Sequence, residues 1–456
     1  MAINYIEMRL EDCMDAIIDY RGKTPKKVDN GIPLITAKII KNGRIQEVSE
    51  FIAIDDYDNW MVRGLPLEGD VVLTTEAPLG EVAQLDARKV ALAQRVITLR
   101  GKKGTLENDY LLYLLQSSFV QNQLDGRASG STVTGIKQSE LREIILRLPP
   151  TALQKSISHQ LKCLDKKIDL NNKINQTLEQ ISQTLFKSWF VDFDPVIDNA
   201  LDAGNPIPEA LQSRAELRQK VRNSADFKPL PADIRALFPA EFEETELGWV
   251  PKGWILESVA KAININPSVK LPKNTVAKYV DMKSLPTQGY SISDVIEKPY
   301  AGGAKFQKND TLFARITPCL ENGKTGFVDF LDEQETAFGS TEFIVMRGTT
   351  KVHYSYVACL ARENNFRLHA IQNMVGSSGR QRVQNSCFDS FYIAVPTPSV
   401  MSLFAGKVSS YFDKMYCCNM ENKSLTNLRD TLLPKLISGK LSLEDLPDLV
   451  NQTEAA

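Results

Sequence analysis

A chain of 456 residues exceeds what one hydrophobic core organises, so two or more domains are expected. With 43% hydrophobic and 24% charged residues it has an ordinary globular composition, which excludes a mostly disordered chain. The net charge of -2 hides an uneven distribution: residues 192–246 hold twelve acidic against six basic side chains, so the remainder has a small basic excess that neither requires nor forbids nucleic acid.

The first twenty residues carry Glu7, Glu11, Asp12, Asp15 and Asp19, the wrong pattern for a signal peptide, and no apolar run is long enough for a membrane span. A cytoplasmic protein is expected. Residues 1–150 read as a strand-rich domain. Gly69-Asp70-Val-Val-Leu-Thr-Thr-Glu-Ala-Pro78 is a turn and a strand stopped by proline; Arg95-Val-Ile-Thr-Leu-Arg-Gly101 is a second strand, and a helix follows from Tyr110 to Phe119. Residues 151–193 read as a first long helix, roughly 60 Å at 1.5 Å per residue. Its seam is Ile157, Leu161, Leu164, Ile168, Asn171, Asn175, Leu178, Ser182 and Leu185, in steps of four and three. Residues 194–248, with Asp194-Pro195, Pro206, Pro208, Pro229, Pro231 and Pro239, read as a proline-rich acidic linker with short helices.

Residues 249–397 repeat the first domain. Asn309-Asp310 to Pro318 matches Gly69 to Pro78, Glu342 to Gly348 matches Arg95 to Gly101, Tyr356 to Phe366 matches the helix, and Gly376-Ser377 matches Gly130-Ser131. Residues 398–440 form a second long helix in the same heptad phase: Phe404, Val408, Tyr411, Met415, Cys418, Asn422, Leu425, Arg429 and Leu432 each lie 247 positions after their counterparts. A tail, 441–456, follows. Any amphipathic helix shows such spacing, but two in one phase, each after a matched domain, point to duplication. Duplicated units pair most simply about a twofold. The expected fold is α+β: two similar α/β domains joined by two long helices in an antiparallel coiled coil, a dumbbell with internal pseudo-twofold symmetry.

No catalytic motif emerges. Gly323-Lys324-Thr325 resembles the end of a phosphate-binding loop, but its first glycine would fall on Pro318. Asn266-Pro267-Ser268-Val269 lacks the second proline and the aromatic residue of an amino-methyltransferase, and no glycine-rich methyl-donor turn occurs. Seven scattered cysteines and three histidines (His159, His353, His369) offer no metal-ligand spacing, so no metal is expected. What remains are polar and basic loops of the kind that grip phosphates and read base edges. In the first repeat these contain Arg21, Lys23, Thr24, Lys26, Lys38, Lys41, Asn42, Arg44, Arg127, Ser129, Ser131, Thr132 and Lys137. In the second they contain Lys270, Lys273, Lys283, Gln288, Arg315, Lys324, Ser377, Arg380, Gln381 and Arg382. Any single lysine among them is more often solvated surface; their recurrence in both repeats favours double-stranded DNA.

The ordered segments Asp19-Tyr20-Arg21-Gly22-Lys23-Thr24-Pro25, Gly31-Ile-Pro-Leu-Ile-Thr36, Gly69 to Gly80, Leu185-Phe-Lys-Ser-Trp-Phe-Val-Asp192-Phe-Asp194-Pro195, Glu246 to Trp254 and Leu428 to Leu441 resemble, along nearly the whole chain, the specificity subunits of type I restriction–modification enzymes. The resemblance implies a non-catalytic subunit in which each domain reads half of a split DNA target. It implies helices that set the spacing and dock two modification subunits. S-adenosylmethionine, ATP and Mg would sit on the modification and restriction (motor) partners, with no cofactor on this chain. The second domain departs from the first at Ala301-Gly302-Gly303-Ala304 and Cys319 to Asn322, and lacks the Arg-Gly-Lys-Thr-Pro loop, so its half-site should differ. Inserting one helical turn in both seams is expected to lengthen the gap, and Arg380 or Arg382 to read bases. The alternative is a free-standing bipartite DNA-binding protein without methyltransferase partners; a single-chain methyltransferase with degenerate motifs is a third reading.

Overall fold

The computed structural model describes residues 5–20, 24–130, 134–377 and 379–441. Arg21, Lys23, Ser131 and Thr132, and the tail beyond 441, lie outside them. The chain forms two compact units, Met1–Asp169 with Asn422–Ala456, and Leu170–Glu421. The long helices Thr151–Phe186 and Pro398–Ile437 are each divided between the two units.

In the first unit a four-stranded antiparallel sheet has the order Met14–Asp19, Val96–Gly101, Val71–Thr75, Leu79–Gln84. Val71, Leu73, Ile97 and Leu99 are fully buried and meet the helices Asn108–Gln116 and Ser118–Arg127. A smaller sheet places Ile32–Ile35 antiparallel to Phe51–Ile52 and parallel to Ala91–Leu92. The strands Ile6–Arg9 and Ile145–Leu148 pair where the body enters the long helix.

The second unit repeats this plan. Its four-stranded sheet is Asn264–Ile265, Phe343–Arg347, Thr311–Ala314, Thr325–Phe327, all antiparallel, under the helices Tyr354–Arg362 and Asn364–Gln372. Val276–Val280 is again antiparallel to one neighbour, Ile296–Pro299, and parallel to another, Thr336–Gly339. Ile255–Ser258 pairs with Tyr392–Val395 before the second long helix.

The repeat extends to individual bonds. Asp70, 1% exposed at its side chain, takes two 2.8 Å bonds from Arg100 and accepts the amide of Leu67. Asp310, fully buried, takes 2.6 and 2.7 Å bonds from Arg347 and accepts the amide of Gln307. The preceding residue has positive φ in each, Gly69 at 85° and Asn309 at 67°, and glycine and asparagine are the residues that tolerate it.

The helices are continuous over Thr151–Phe186, extended by a π-turn Lys187–Val191, and over Pro398–Ile437. In the first unit Ile157, Leu161 and Ile168 are buried, Leu164 is half-buried, and Leu432, Leu433, Leu436 and Ile437 join Ile157 and Leu161 in one core. In the second, Phe404, Val408 and Met415 are buried with Phe186, Trp189 and Phe190, while Leu178, Leu185 and Tyr411 pack at the margin. The start of one helix therefore meets the end of the other within each unit, which makes them antiparallel. Asn422 and Leu425 are half-buried. Asn175 donates to Asn419 Oδ1 at 2.7 Å and Asn171 to Glu421 at 2.8 Å, so polar contacts interrupt the apolar seam; such contacts fix register.

The expected linker is more than a connection. Asp194–Ala203, Gln212–Arg222 and Ala232–Arg235 are helical, and Phe242–Thr245 pairs with Gly248–Pro251. Val196, Ile197 and Ala200 are fully buried, and Phe238 stacks edge-on against Trp189. Several acidic residues of this stretch are partnered. Arg214 bonds Asp194 and Arg218 bonds Asp198, each bidentate, and Arg222 and Arg235 both reach Asp202.

Candidate nucleic-acid interface

In each unit a polar loop is fastened beside the proline turn that ends a central strand. In the first unit Ile136 N donates to Thr75 O at 3.0 Å, and Ser129 and Gly135 exchange backbone bonds, holding Arg127, Ser129 and Lys137 next to Glu76. In the second, Val383 N donates to Arg315 O at 2.8 Å and Thr317 N to Gln381 O at 3.1 Å, holding Ser377, Arg380, Gln381 and Arg382 next to Ile316. The peptides Ala77–Pro78 and Thr317–Pro318 are cis in both. Backbone pairing brings each loop to the same place, the end of the corresponding inner strand of its sheet.

Ser129, Lys137, Ser377 and Arg380 are exposed. Arg127 pairs with Glu140 at 3.3 Å, and Arg382 makes a bidentate pair with Glu342. That hydrogen bond holds the Glu342 carboxyl below its ordinary pKa, with the Arg382 and Arg315 charges adding to it. Arg315 donates to Val383 O at 2.7 Å and lines a cleft of about 470 Å³ with Asn266, Ser268, Lys305 and Thr341. Sequence reasoning weighed Asn266 and Ser268 only as a methyltransferase motif and passed over Lys305 and Thr341. The small-residue run at 301–304 was the available signal, since Gly303 and Ala304 form part of the cleft wall.

The remaining candidates are dispersed. Thr24, Lys26, Lys38, Lys41, Lys270, Lys273, Lys283 and Gln288 are exposed, and Lys38 lies 3.9 Å from Glu50. Asn42 donates its amide to Glu81, Arg44 is taken up by Asp165 and Asp169 of the long helix, and Lys324 donates to Met282 O at 2.8 Å. Behind Lys324 and Gln288 lies a half-buried organiser that sequence did not reveal. Arg362 donates to the carbonyls of Pro286, Thr287, Gly289, Gly323 and Thr325, fixing both loops with one planar guanidinium. Burial depresses its pKa.

Among the described residues no group of three or more His, Cys, Asp or Glu side chains is placed to hold a metal ion, and no helix is long and apolar enough to cross a membrane.

Residues 4–180 match the family model described as the type I restriction modification DNA specificity domain. The chain is 26% identical over 354 residues to the type I restriction enzyme HindI specificity subunit of Haemophilus influenzae, covering 73% of this chain and 76% of that protein. It is 25% identical over 390 residues to the MjaIX specificity subunit of Methanocaldococcus jannaschii, covering 83% and 79%. A crystal structure of a type I restriction–modification S subunit from M. genitalium matches 95% of this chain and 96% of its own, with a TM-score of 0.52 at 14% identity, a likeness of fold. The first repeat thus matches the type I specificity-domain model, and across both repeats the chain is similar to type I restriction–modification specificity subunits.

Proposed function

We infer that this chain is the non-catalytic DNA-recognition subunit of a type I restriction–modification complex, each strand-rich domain reading one half of a bipartite target. The observation that carries the reading is the doubled site. One fold, built twice, presents a polar loop at the end of the same inner strand, with different side chains: Arg127, Ser129 and Lys137 in one copy, Arg380, Gln381 and Arg382 in the other. Equal scaffolds with unequal loops suit two half-sites of different sequence.

The exposed Thr24, Lys26, Lys41, Lys137, Lys270, Lys273 and Arg380 serve as phosphate or base contacts, and Arg382 reads bases by exchanging its bond to Glu342 for a base edge. The long helices act as spacer and as dock for two modification subunits, with restriction subunits completing the assembly. S-adenosylmethionine, ATP and Mg belong to those partners, and the complex works in the cytoplasm, where the DNA is. Purification with the modification partner, followed by mapping of methylated adenines, tests the reading. The expected result is a split recognition sequence and tight, salt-sensitive binding that requires the partner. Specific binding by the chain alone, with no partner retained, would favour the free-standing regulator.

A further inference from the structure

In both units one loop leaves the short 3-10 turn that follows the middle strand of the smaller sheet and ends on the long helices. In the first unit it is the hairpin Ile40–Lys41 with Arg44–Ile45, turned at Asn42 and Gly43, both at positive φ, with Gly43 bridging Ala83. In the second it runs through 285–291, with Ser291 bridging Phe327 in the corresponding strand. The two landings use opposite chemistry. Arg44 donates to Asp169 at 2.5 Å and Asp165 at 3.1 Å; Asp165 also accepts Arg429 at 2.9 Å and Tyr113 at 2.7 Å. In the second unit Tyr290 lands against Phe412 at 4.7 Å between ring centres, its hydroxyl bonded to Gln183 and Cys359.

We propose that the Arg44–Asp165–Arg429 cluster is a positioning joint, with Asp165 as its pivot, that sets how the first reading domain stands on the spacer. The proposal rests on the reading of the chain as a bipartite DNA reader. Asp165 receives three donors from three elements: the loop, the helix Asn108–Gln116 through Tyr113, and the second long helix. Side-chain exposures of 27% for Arg44, 20% for Asp165 and 14% for Arg429 leave the joint within reach of solvent ions. Salt weakens an ionic joint, whereas it does not weaken the packing of Tyr290 on Phe412. Beside the apolar core that each domain shares with the helices, the first unit's loop is therefore held by a contact that ionic strength loosens, the second unit's by one that it does not.

The test uses the full chain with its modification partner and a set of bipartite targets differing only in gap length. The ratio of methylation at the preferred gap to that at a gap one base pair off is read at low and high salt. Both targets offer the same phosphate contacts, so general salt dependence cancels in the ratio. The wild-type ratio should fall as salt rises. Asp165→Asn should lower it about tenfold at low salt and flatten its salt response, Asp165→Glu should restore it in part, and the half-site sequences should stay unchanged. Arg44→Met, made from the loop side, should act as Asp165→Asn does and covers the case in which the helix variant misfolds. Wild-type ratio and salt response in both Asp165→Asn and Arg44→Met overturn the joint. A wild-type complex with no gap preference overturns the functional reading itself, and the joint with it.

Discussion

Asp329 shows how burial sets charge at a single residue. It lines a cleft with Asn175, Glu179 and Tyr290, and desolvation pushes its carboxyl up to about 6. Glu179 is raised too, by burial working against Arg362 and the Gly289 amide. A carboxyl with a folded pKa above its unfolded value binds its proton more tightly in the native state. The stabilisation is complete below the unfolded value of 3.8 and is lost as pH climbs through about 6. Asp329→Asn should thus stabilise the second unit at pH 7.5 by roughly 2–3 kcal/mol, and by less at pH 4.5. Urea denaturation followed by Trp189 and Trp254 fluorescence would show it as a smaller drop in midpoint between those pH values, with a residual slope from Glu179. An unchanged slope would mean that water reaches Asp329. No feature of the sequence announces this residue, nor the fate of Arg44, whose partners lie 121 and 125 positions away. Basic loop residues are visible in sequence; which of them spend their charge on the protein's own carboxylates is settled by tertiary contacts.

Elements were more legible than contacts. Strand, glycine or proline stop, and helix recur in both halves because the duplicated core imposes one hydrophobic pattern, and the shared heptad phase follows from helices that face each other. The reading of 194–248 as a linker fell short because prolines and acidic residues were taken as breakers. Pro195 instead sits in the first turn of the helix Asp194–Ala203, where no amide bond is lost, and the acids meet an arginine ladder on the facing helix. The ends of the long helices have a role that periodicity alone does not reveal. Leu433, Leu436 and Ile437 enter the core of the first unit, as Phe186, Trp189 and Phe190 enter that of the second. Each core is thus closed by the helix that follows the other repeat. Leu436→Ala should cost about 2–5 kcal/mol and appear as earlier unfolding of the first unit, detected by hydrogen exchange in Val71–Thr75. Early exchange confined to the C-terminal helix would show instead that its end merely frays.

For the molecule as a whole, the spacer hypothesis makes a demand that insertion of a single helical turn does not meet. Four added residues would lengthen each helix by about 6 Å but rotate the apolar seam away from its partner, because the seam repeats every seven. One heptad in each helix, placed after Asp169 and after Glu421 where the two units divide, keeps the seam and adds about 10 Å, near three base pairs. Three base pairs also turn the duplex by roughly a third of a revolution, so the second half-site would present a different face. Three heptads add about 31 Å, close to the 34 Å of one full DNA turn, and restore the facing grooves. The expected outcome is weak methylation by the one-heptad variant. The three-heptad variant should regain activity on a target whose gap is about nine or ten base pairs longer, with both half-sites unchanged. Sequencing of methylated adenines from a randomised-gap library reads this directly. If the three-heptad variant keeps the original gap, the helices are not the ruler, and the distance between half-sites is set by the modification subunits that grip the DNA around them.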